Sequence, residues 1–211
     1  MIGMDRFDWS RLARVTTDDP LRVLVSACTV GLPTAFDGTA YTHPSVMRLQ
    51  ALACVAALPF CPEEPVLGTP RPLTTIHGGD GHDVLAGTAR VLADHVEDVS
   101  AELIAGAEQM LARALSHRAE LAILTDVSDS CGSNVIYLGN PDEGQRVRQG
   151  IGVAAAMLAR AGIPVMAQRD DRTLGRILAA LDPRFQPAPD ARDFVDTDWY
   201  QTYFREHPPH G

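Results

Sequence analysis

The segment LRVLVSACTVG, residues 21–31, decides the fold that we expect for this chain. Its first part is short, apolar and rich in β-branched residues, which predicts a buried strand over 21–27. The strand runs directly into Cys28, and a loop follows from Gly31 to Gly38. Parallel sheets bind their ligands at the carboxyl ends of their strands. Cys28 is therefore a candidate functional residue.

Two further cysteines follow apolar segments in the same way. In ALPFCPE, Cys61 follows the apolar residues 58–60, and in AILTDVSDSCGS, Cys131 follows a strand predicted over 120–127. Because the ends of parallel strands meet at one edge of a sheet, we expect the three thiols to converge. Three thiolates around one point suit an iron–sulfur cluster or zinc better than magnesium or calcium. Cys54, within LQALACVAAL, is expected to be a core residue on a helix.

Strand and helix patterns alternate along the rest of the chain. Strands are predicted at 21–27, 120–127 and 163–168, and helices at 43–58, 100–118, 145–161 and 173–181. Ser100 is expected to cap its helix, and Gly162 suits the position just past the end of another. Prolines and glycines over 63–87 predict a long functional loop with room for one hairpin. This order predicts a three-layer, Rossmann-like α/β domain with a mainly parallel sheet.

The sequence divides into three parts. Residues 1–20 form a polar N-terminal extension, 21–168 the α/β domain, and 169–211 a C-terminal helix and an aromatic tail. The tail, DTDWYQTYFREHPPH, follows the proline-rich segment 182–193. We expect its aromatic residues to dock back onto the body or onto a second subunit, which would make a homodimer.

The composition excludes several classes of function. A chain of 211 residues, 45% of them hydrophobic, suits one globular domain or one domain with a small appendage. A net charge of −9 argues against a large cationic surface for nucleic acid or for an anionic membrane. All 18 basic residues are arginines, so lysine Schiff-base chemistry and a Walker lysine are excluded.

The compartment that we expect is the cytoplasm. The N-terminal residues show no basic start followed by an apolar core, so no signal peptide is predicted. No apolar run approaches the length of a membrane-spanning helix. Four cysteines are too few for a disulfide scaffold in a chain of this size, and a reducing compartment keeps them free for metal binding or catalysis.

Five longer motifs follow one another between residues 21 and 168. They are VLVSAC..G....FDG (23–38), FCPE...LGTPRP (60–72), GGDGHDVLAG (78–87), AILT..SDSCGS..IY (122–137) and GIGVAAAMLARAGIPV (150–165). In this order the motifs resemble the thiouracil desulfidases of the TudS type. The resemblance implies a 4Fe-4S cluster held by Cys28, Cys61 and Cys131, with one iron left open for the thione sulfur of the substrate. It also implies a non-redox reaction that replaces this sulfur of a thiolated pyrimidine with oxygen.

The resemblance further implies a glutamate and a serine beside the cluster. The glutamate matches Glu63, and the serine matches either Ser128 or Ser130. A carboxylate next to a ligand cysteine can act as the base that deprotonates the attacking water. A serine hydroxyl can donate a hydrogen bond to the substrate or relay a proton. We expect a free thiolated base or nucleoside as the substrate, since the acidic composition argues against nucleic acid.

The chain departs from the family pattern at three places. Asp129 stands between the two serines, where the family usually has proline. Thr125 and Asp126 stand where a basic residue is common, and AFDG (35–38) lacks the arginine of the family's RYDG-like segment. These changes keep the cluster ligands but alter the charge around them.

Two other functions remain open from the residues themselves. One is a zinc or other single-metal hydrolase that uses the same thiolates, and the other is a non-enzymatic nucleobase- or RNA-binding module in which the cysteines only pack. The loop HGGDGHD (77–83) lacks the Lys-Ser/Thr of a phosphate loop, and His77, Asp80 and His82 form a weak candidate metal site. We expect this loop to be a tight turn that shapes the pocket wall.

Overall fold

A computed structural model describes residues 1–138 and 146–206. Its strands are β1 (Leu21–Ser26), β2 (Val55–Phe60), β3 (Thr74–His77), β4 (Arg90–Ala93), β5 (Glu97–Asp98), β6 (Leu121–Leu124), β7 (Val135–Leu138), β8 (Arg146–Gln149) and β9 (Val165–Ala167). Its α-helices are α1 (Pro44–Gln50), α2 (Glu64–Leu67), α3 (Gly81–Ala86), α4 (Ser100–His117), α5 (Val153–Arg160), α6 (Asp171–Leu181) and α7 (Asp198–Glu206). Within these residues, no helix combines the length and apolar character needed to cross a bilayer.

The central sheet is parallel and has the strand order β2-β1-β6-β9. Strand β1 lies between β2 and β6, with Ser26 opposite Phe60 on one side and Val25 opposite Ile123 on the other. The predicted α/β class with a mainly parallel sheet is therefore confirmed. Three strands that each precede a cysteine are direct neighbours in this sheet.

Side chains alternate between two hydrophobic layers along the central strands. In β1, Val23 and Val25 pack on the side of α1 and α6, whereas Leu24 packs on the side of α4 and α5. All three side chains are almost completely buried, so each contributes about 1.5–3 kcal/mol of transfer free energy. Helices thus cover both faces, which gives the predicted three layers.

The helix predicted over 43–58 is wrong in its second half. Helix α1 ends at Gln50, and the apolar residues that follow form β2 at the edge of the sheet. Short apolar runs suit a buried strand and a buried helix equally well, and pairing with β1 decides between them. Cys54 lies in the turn before β2, partly buried against the core, and not on a helix.

The helix predicted over 145–161 is also shorter than expected. Residue 145 lies outside the described residues, and β8 occupies the next four positions, paired antiparallel with β7. Gly150 and Gly152 follow β8 and disfavour a continuous helix, so α5 begins only at Val153. Gly162 has a φ of +84° just past α5, as the sequence predicts.

The long segment 63–87 is more regular than the predicted loop. It contains α2, β3 and α3, but no hairpin of its own, because β3 pairs antiparallel with β4, which lies beyond this segment. Asp80 begins α3: its carboxylate accepts the amide of His82 at 2.8 Å, while the carboxylate of Asp83 accepts the amide of Asp80 at 2.8 Å. The HGGDGHD loop therefore starts a helix.

The predicted cap at Ser100 is wrong. Its hydroxyl donates to the carboxylate of Asp98 at 2.6 Å and accepts the amide of Val91 at 2.8 Å. Ser100 therefore ties the start of α4 to β4, and its side chain satisfies none of the free amides of the helix.

The aromatic tail docks back onto the body of the same chain. Phe194 and Tyr200 are buried against Val135 and Val147 of the β7–β8 hairpin. The side-chain amide of Gln149 donates to the hydroxyl of Tyr200 at 3.0 Å. Docking onto the body was one of the two expectations for the tail, whose residues 207–211 lie outside the described part. The homodimer stays a prediction.

Glycine at position 152 allows α5 to approach the loop that carries Cys131. The amide of Gly152 donates to the carbonyl of Gly132 at 2.8 Å, and the amide of Val153 donates to the carbonyl of Asp129 at 2.8 Å. A Cβ atom at position 152 would lie 2.5 Å from the carbonyl carbon and oxygen of Ser130. Since these are backbone atoms, a side chain there displaces either the helix or the loop.

We therefore expect Gly152→Ala to lower the free energy of unfolding by about 1–3 kcal/mol and to reduce binding of any group held by Cys131. Gly175→Ala in α6 is the matched control, since its Cβ would lie no closer than 3.4 Å to a side-chain carbon of Pro187. The control is expected to gain up to about 1 kcal/mol from helix propensity. Denaturant unfolding of both variants is the measurement, and equal stabilities would contradict this account.

Candidate active site

One cavity at the carboxyl edge of β2, β1 and β6 contains all three strand-end cysteines. Cys28 lies in a short 3₁₀ helix after β1, Cys61 directly follows β2, and Cys131 lies on the loop after β6. The cavity has about 620 Å³ of free space, part of it open to solvent. The structure thus brings together the cysteines that the strand order predicts.

The surroundings of the three thiols disfavour their deprotonation to thiolates. Burial raises the pKa of Cys28, Cys61 and Cys131, and the mutual repulsion of their charges raises the pKa of Cys28 and Cys131 further. The carboxylate of Glu63 adds to the repulsion at all three thiols. A positively charged group bound between the sulfurs would relieve this repulsion, as metals do when they bind thiolates.

Glu63 lies at the cavity, paired with a buried arginine. Nε of Arg71 donates to Oε2 of Glu63 at 2.6 Å, and the Arg71 side chain is only 4% exposed. Arg71 also donates to the carbonyl oxygens of Gly68 and Thr34 at 3.1 Å, and Nη2 lies 3.6 Å from Sγ of Cys61. Burial opposes the charge of Arg71, but Glu63 and the thiols outweigh it and raise its pKa. One guanidinium therefore orients the carboxylate and compensates the charge of a thiolate.

The two candidate serines occupy different positions. Ser128 lines the cavity, and its hydroxyl oxygen accepts the amides of Ser130 at 3.3 Å and Cys131 at 3.1 Å. Because the oxygen only accepts in these bonds, its proton is available to a ligand. Ser130 is fully buried and is not among the residues that line the cavity, and its hydroxyl has no hydrogen-bond partner among the described residues.

Asp129, between the two serines, also lines the cavity. It is 2% exposed, and its Oδ1 accepts the amide of Tyr137 at 3.1 Å. Burial raises the pKa of this carboxyl well above its usual value, and the charge of Glu63 raises it further. Sequence reasoning noted Asp129 as a departure from the family, without a role.

The other departures have different consequences. Thr125 lines the cavity, and its hydroxyl oxygen lies 3.1 Å from Sγ of Cys28. Asp126 does not line the cavity: its Oδ1 accepts four backbone amides of the cysteine loop, and Oδ2 accepts the side-chain amide of Asn134 at 2.7 Å. This carboxylate therefore organises the loop that carries Cys131, and the expectation that it alters the charge at the site stays a prediction.

Aromatic rings line part of the cavity. Phe36, Tyr41 and Tyr137 contribute to its wall. The hydroxyl of Tyr41 donates to Oδ2 of Asp37 at 2.9 Å, and burial together with this carboxylate raises the pKa of Tyr41 to about 12. Neutral aromatic rings provide faces on which a flat base can stack.

The donor set fits an iron–sulfur cluster better than a single ion. Three soft thiol ligands line one cavity, and thiolates are the protein ligands that iron–sulfur clusters use. In the described ranges, no three His, Cys, Asp or Glu side chains are grouped closely enough to hold one metal ion. This applies to the three cysteines as well as to the candidate set His77, Asp80 and His82. A tetrahedral zinc site with bonds of about 2.3 Å needs such a group.

Sequence reasoning missed Arg71 and the aromatic wall. Arg71 stands within LGTPRP, where an arginine between two prolines in a loop was the available signal. Tyr41 and Tyr137 lie far from the cysteines in the chain, and no local pattern distinguishes them from surface or core tyrosines. Only the fold brings them to the cavity.

Three comparisons relate this chain to known proteins. A family model described as 2-thiouracil desulfurase matches residues 23–170. A Bacillus subtilis (strain 168) protein named "Uncharacterized protein YbbK" is 37% identical over 152 residues, which covers 70% of this chain and 96% of that protein. The solved structure of a 4Fe-4S-dependent thiouracil desulfidase, TudS, is 34% identical with a TM-score of 0.62, over 75% of this chain and 97% of that one.

We expect Arg71→Ala to lower the free energy of unfolding by about 3–5 kcal/mol, because it leaves the Glu63 carboxylate and two backbone carbonyls without their buried donor. Arg14→Ala is the control, since its ion pair with Asp8 at 2.9 Å is more than half exposed and contributes little. Chemical denaturation measures both variants. Similar losses in the two would show that burial of the Arg71 pair has no special role.

Proposed function

The chain belongs to the 2-thiouracil desulfurase family, and from this premise we propose that it is an iron–sulfur enzyme that replaces the thione sulfur of a small thiolated pyrimidine with oxygen. The observation that carries the proposal is the cavity itself, where the thiols of three neighbouring strands meet a carboxylate held by a buried arginine. The proposed reaction consumes water and releases hydrogen sulfide, with no net oxidation or reduction.

We assign Cys28, Cys61 and Cys131 as the ligands of a 4Fe-4S cluster. Three protein ligands for four irons leave one iron for the substrate, and this iron would supply a soft Lewis acid that polarises the C=S bond. Thr125 and Arg71 support the ligands from outside, since they contact the sulfurs of Cys28 and Cys61. Contacts of this kind tune ligand orientation and charge.

Glu63 is assigned as the general base. Its Oε2 is engaged by Arg71, so we assign Oε1 to take up a proton from the attacking water. The water oxygen then bonds to the thione carbon, the C–S bond breaks, and the sulfur leaves with the electron pair. Proton transfer of this kind typically contributes about 10²–10⁴-fold to the rate.

A serine hydroxyl is assigned to hold the substrate. Ser128 is favoured for direct contact, because it lines the cavity and its hydroxyl proton is available. Ser130 remains the candidate for a proton relay that does not contact the substrate directly, since its buried hydroxyl has no hydrogen-bond partner in the described part of the chain. The rings of Phe36, Tyr41 and Tyr137 would stack on the base.

A free base or nucleoside suits this site better than nucleic acid. The protein has a net charge of −9, and electrostatic attraction to phosphates dominates nucleic-acid affinity. Four free cysteines agree with the reducing cytoplasm as the compartment of action.

The ligand assignment predicts the metal content of cysteine variants. After anaerobic reconstitution, we expect Cys28→Ser, Cys61→Ser and Cys131→Ser each to lose most of the bound iron and acid-labile sulfide. Their sulfide release from 2-thiouracil should fall by more than the roughly 10–100-fold that changes around a metal site cost. Cys54→Ser, outside the cavity, should retain both. Stoichiometric zinc without labile sulfide would favour the hydrolase instead, and unchanged base binding in all variants would favour the binding module.

The base assignment predicts a loss of rate without loss of the cluster. We expect Glu63→Gln to lower kcat by about 10²–10⁴-fold, because the amide cannot accept the proton of water, while iron and sulfide content stay at the wild-type level. Glu64→Gln, at an exposed neighbouring position, is the matched control. Steady-state sulfide release measures both variants. A Glu63→Gln enzyme with wild-type kcat would require a different base.

A further inference from the structure

Asp129 is a buried carboxyl group with one unused oxygen. Its Oδ1 accepts the backbone amide of Tyr137 at 3.1 Å, and the backbone of Ile76 also lies near the carboxyl and favours its charged form, but no hydrogen bond from a described residue reaches Oδ2. A buried polar atom without a partner is costly, and such atoms usually have a ligand or a functional role. The residue is 2% exposed and lines the same cavity as Cys131 and Glu63.

The architecture of the loop does not account for this oxygen. Asp126, three positions earlier and equally buried, uses both of its carboxylate oxygens to hold the loop. The hydroxyl of Ser128 holds the turn itself, and the amides of Val153 and Ala154 hold the backbone carbonyls of Asp129 and Ser130. The loop is therefore already supported, and Oδ2 of Asp129 is left without a donor among the described residues.

We propose that Asp129 determines substrate specificity: its Oδ2 accepts a hydrogen bond from a ring N–H of the bound base. This inference rests on the proposed desulfidase function and names the class of substrate within it. The preferred substrates are cyclic thioamides, in which the C=S group is bonded to a ring nitrogen that carries a hydrogen. Compounds in which that nitrogen is alkylated leave the buried oxygen unpaired, and they bind more weakly for this reason.

The amide of Tyr137 makes Asp129→Asn a sharp test. Because this amide donates to the atom at the Oδ1 position, the side-chain oxygen of an asparagine takes that position. The NH₂ group then takes the position of Oδ2, so that the substitution replaces an acceptor with a donor of nearly the same shape. A ring N–H of the substrate would meet another N–H group there.

The experiment compares 2-thiouracil with its N1-methyl and N3-methyl derivatives in the wild type, in Asp129→Asn and in Asp129→Ala. We measure kcat/KM for sulfide release by the reconstituted enzyme. We also measure calorimetric binding of uracil and its two N-methyl derivatives, which need no desulfuration. In the wild type, one of the two methylations should weaken both quantities by roughly 10–100-fold, the range expected when a buried acceptor is left unpaired.

Both variants should lower kcat/KM for 2-thiouracil and the affinity for uracil by a similar factor. In both variants, the methylation that matters in the wild type should change these quantities by less than about threefold, because the hydrogen bond between residue 129 and the ring N–H no longer forms. Glu64→Gln should behave as the wild type. Wild-type protein that binds and converts all three compounds equally overturns the inference, and so does Asp129→Asn with wild-type affinity for the parent. If a variant fails to fold, the comparison of the parent and N-methylated compounds in the wild-type protein still tests the inference.

The results also separate this inference from the proposed function. If no sulfide is released but binding of the oxo bases depends on N-methylation and on Asp129, the desulfidase proposal fails and the assignment of Asp129 stands. If sulfide is released without any dependence on the ring N–H, the function stands and the assignment of Asp129 fails.

Discussion

The parallel pairing of β1 with β2 on one side and β6 on the other is the constraint on which the site depends. Together, the hydrogen bonds of these two ladders fix the positions of the three strand ends relative to one another. Cys28, Cys61 and Cys131 follow those ends, so the sheet itself brings together thiols that are distant in the chain. The loop before Cys131 is the longest of the three connections, and Asp126 and the first turn of α5 hold it in place.

Charge balance is the second condition that the site meets. Burial and mutual repulsion raise the pKa of the thiols, and Glu63 adds a further negative charge. Arg71 offsets part of this repulsion, since it pairs with Glu63 and contacts the sulfur of Cys61. A cationic group between the sulfurs would complete the compensation.

The loop around Cys131 carries both the residues assigned to the proposed reaction and one that departs from the pattern implied by the family resemblance. Ser128, Ser130 and Cys131 match that pattern, whereas Asp129 stands where the resemblance implies proline. Proline offers no side-chain hydrogen bond, but Asp129 brings an acceptor to the cavity wall. In the proposed assignment, Asp129 selects the base, whereas the neighbouring Cys131 holds the group that acts on sulfur.

The sequence by itself determined the α/β class, the central strands and the three candidate ligands, because buried β-branched runs that end in cysteine carry a strong local signal. Local patterns predicted helices over residues 43–58 and 145–161, and both predictions were partly wrong. An apolar run in the first segment forms β2 and a polar run in the second forms β8, because each pairs with another strand. Tertiary structure alone decided that Arg71 reaches Glu63, that Asp126 supports a loop, and that Asp129 keeps one oxygen unpaired. Each of these depends on contacts between residues that folding brings together, and such contacts leave no periodic trace in the sequence.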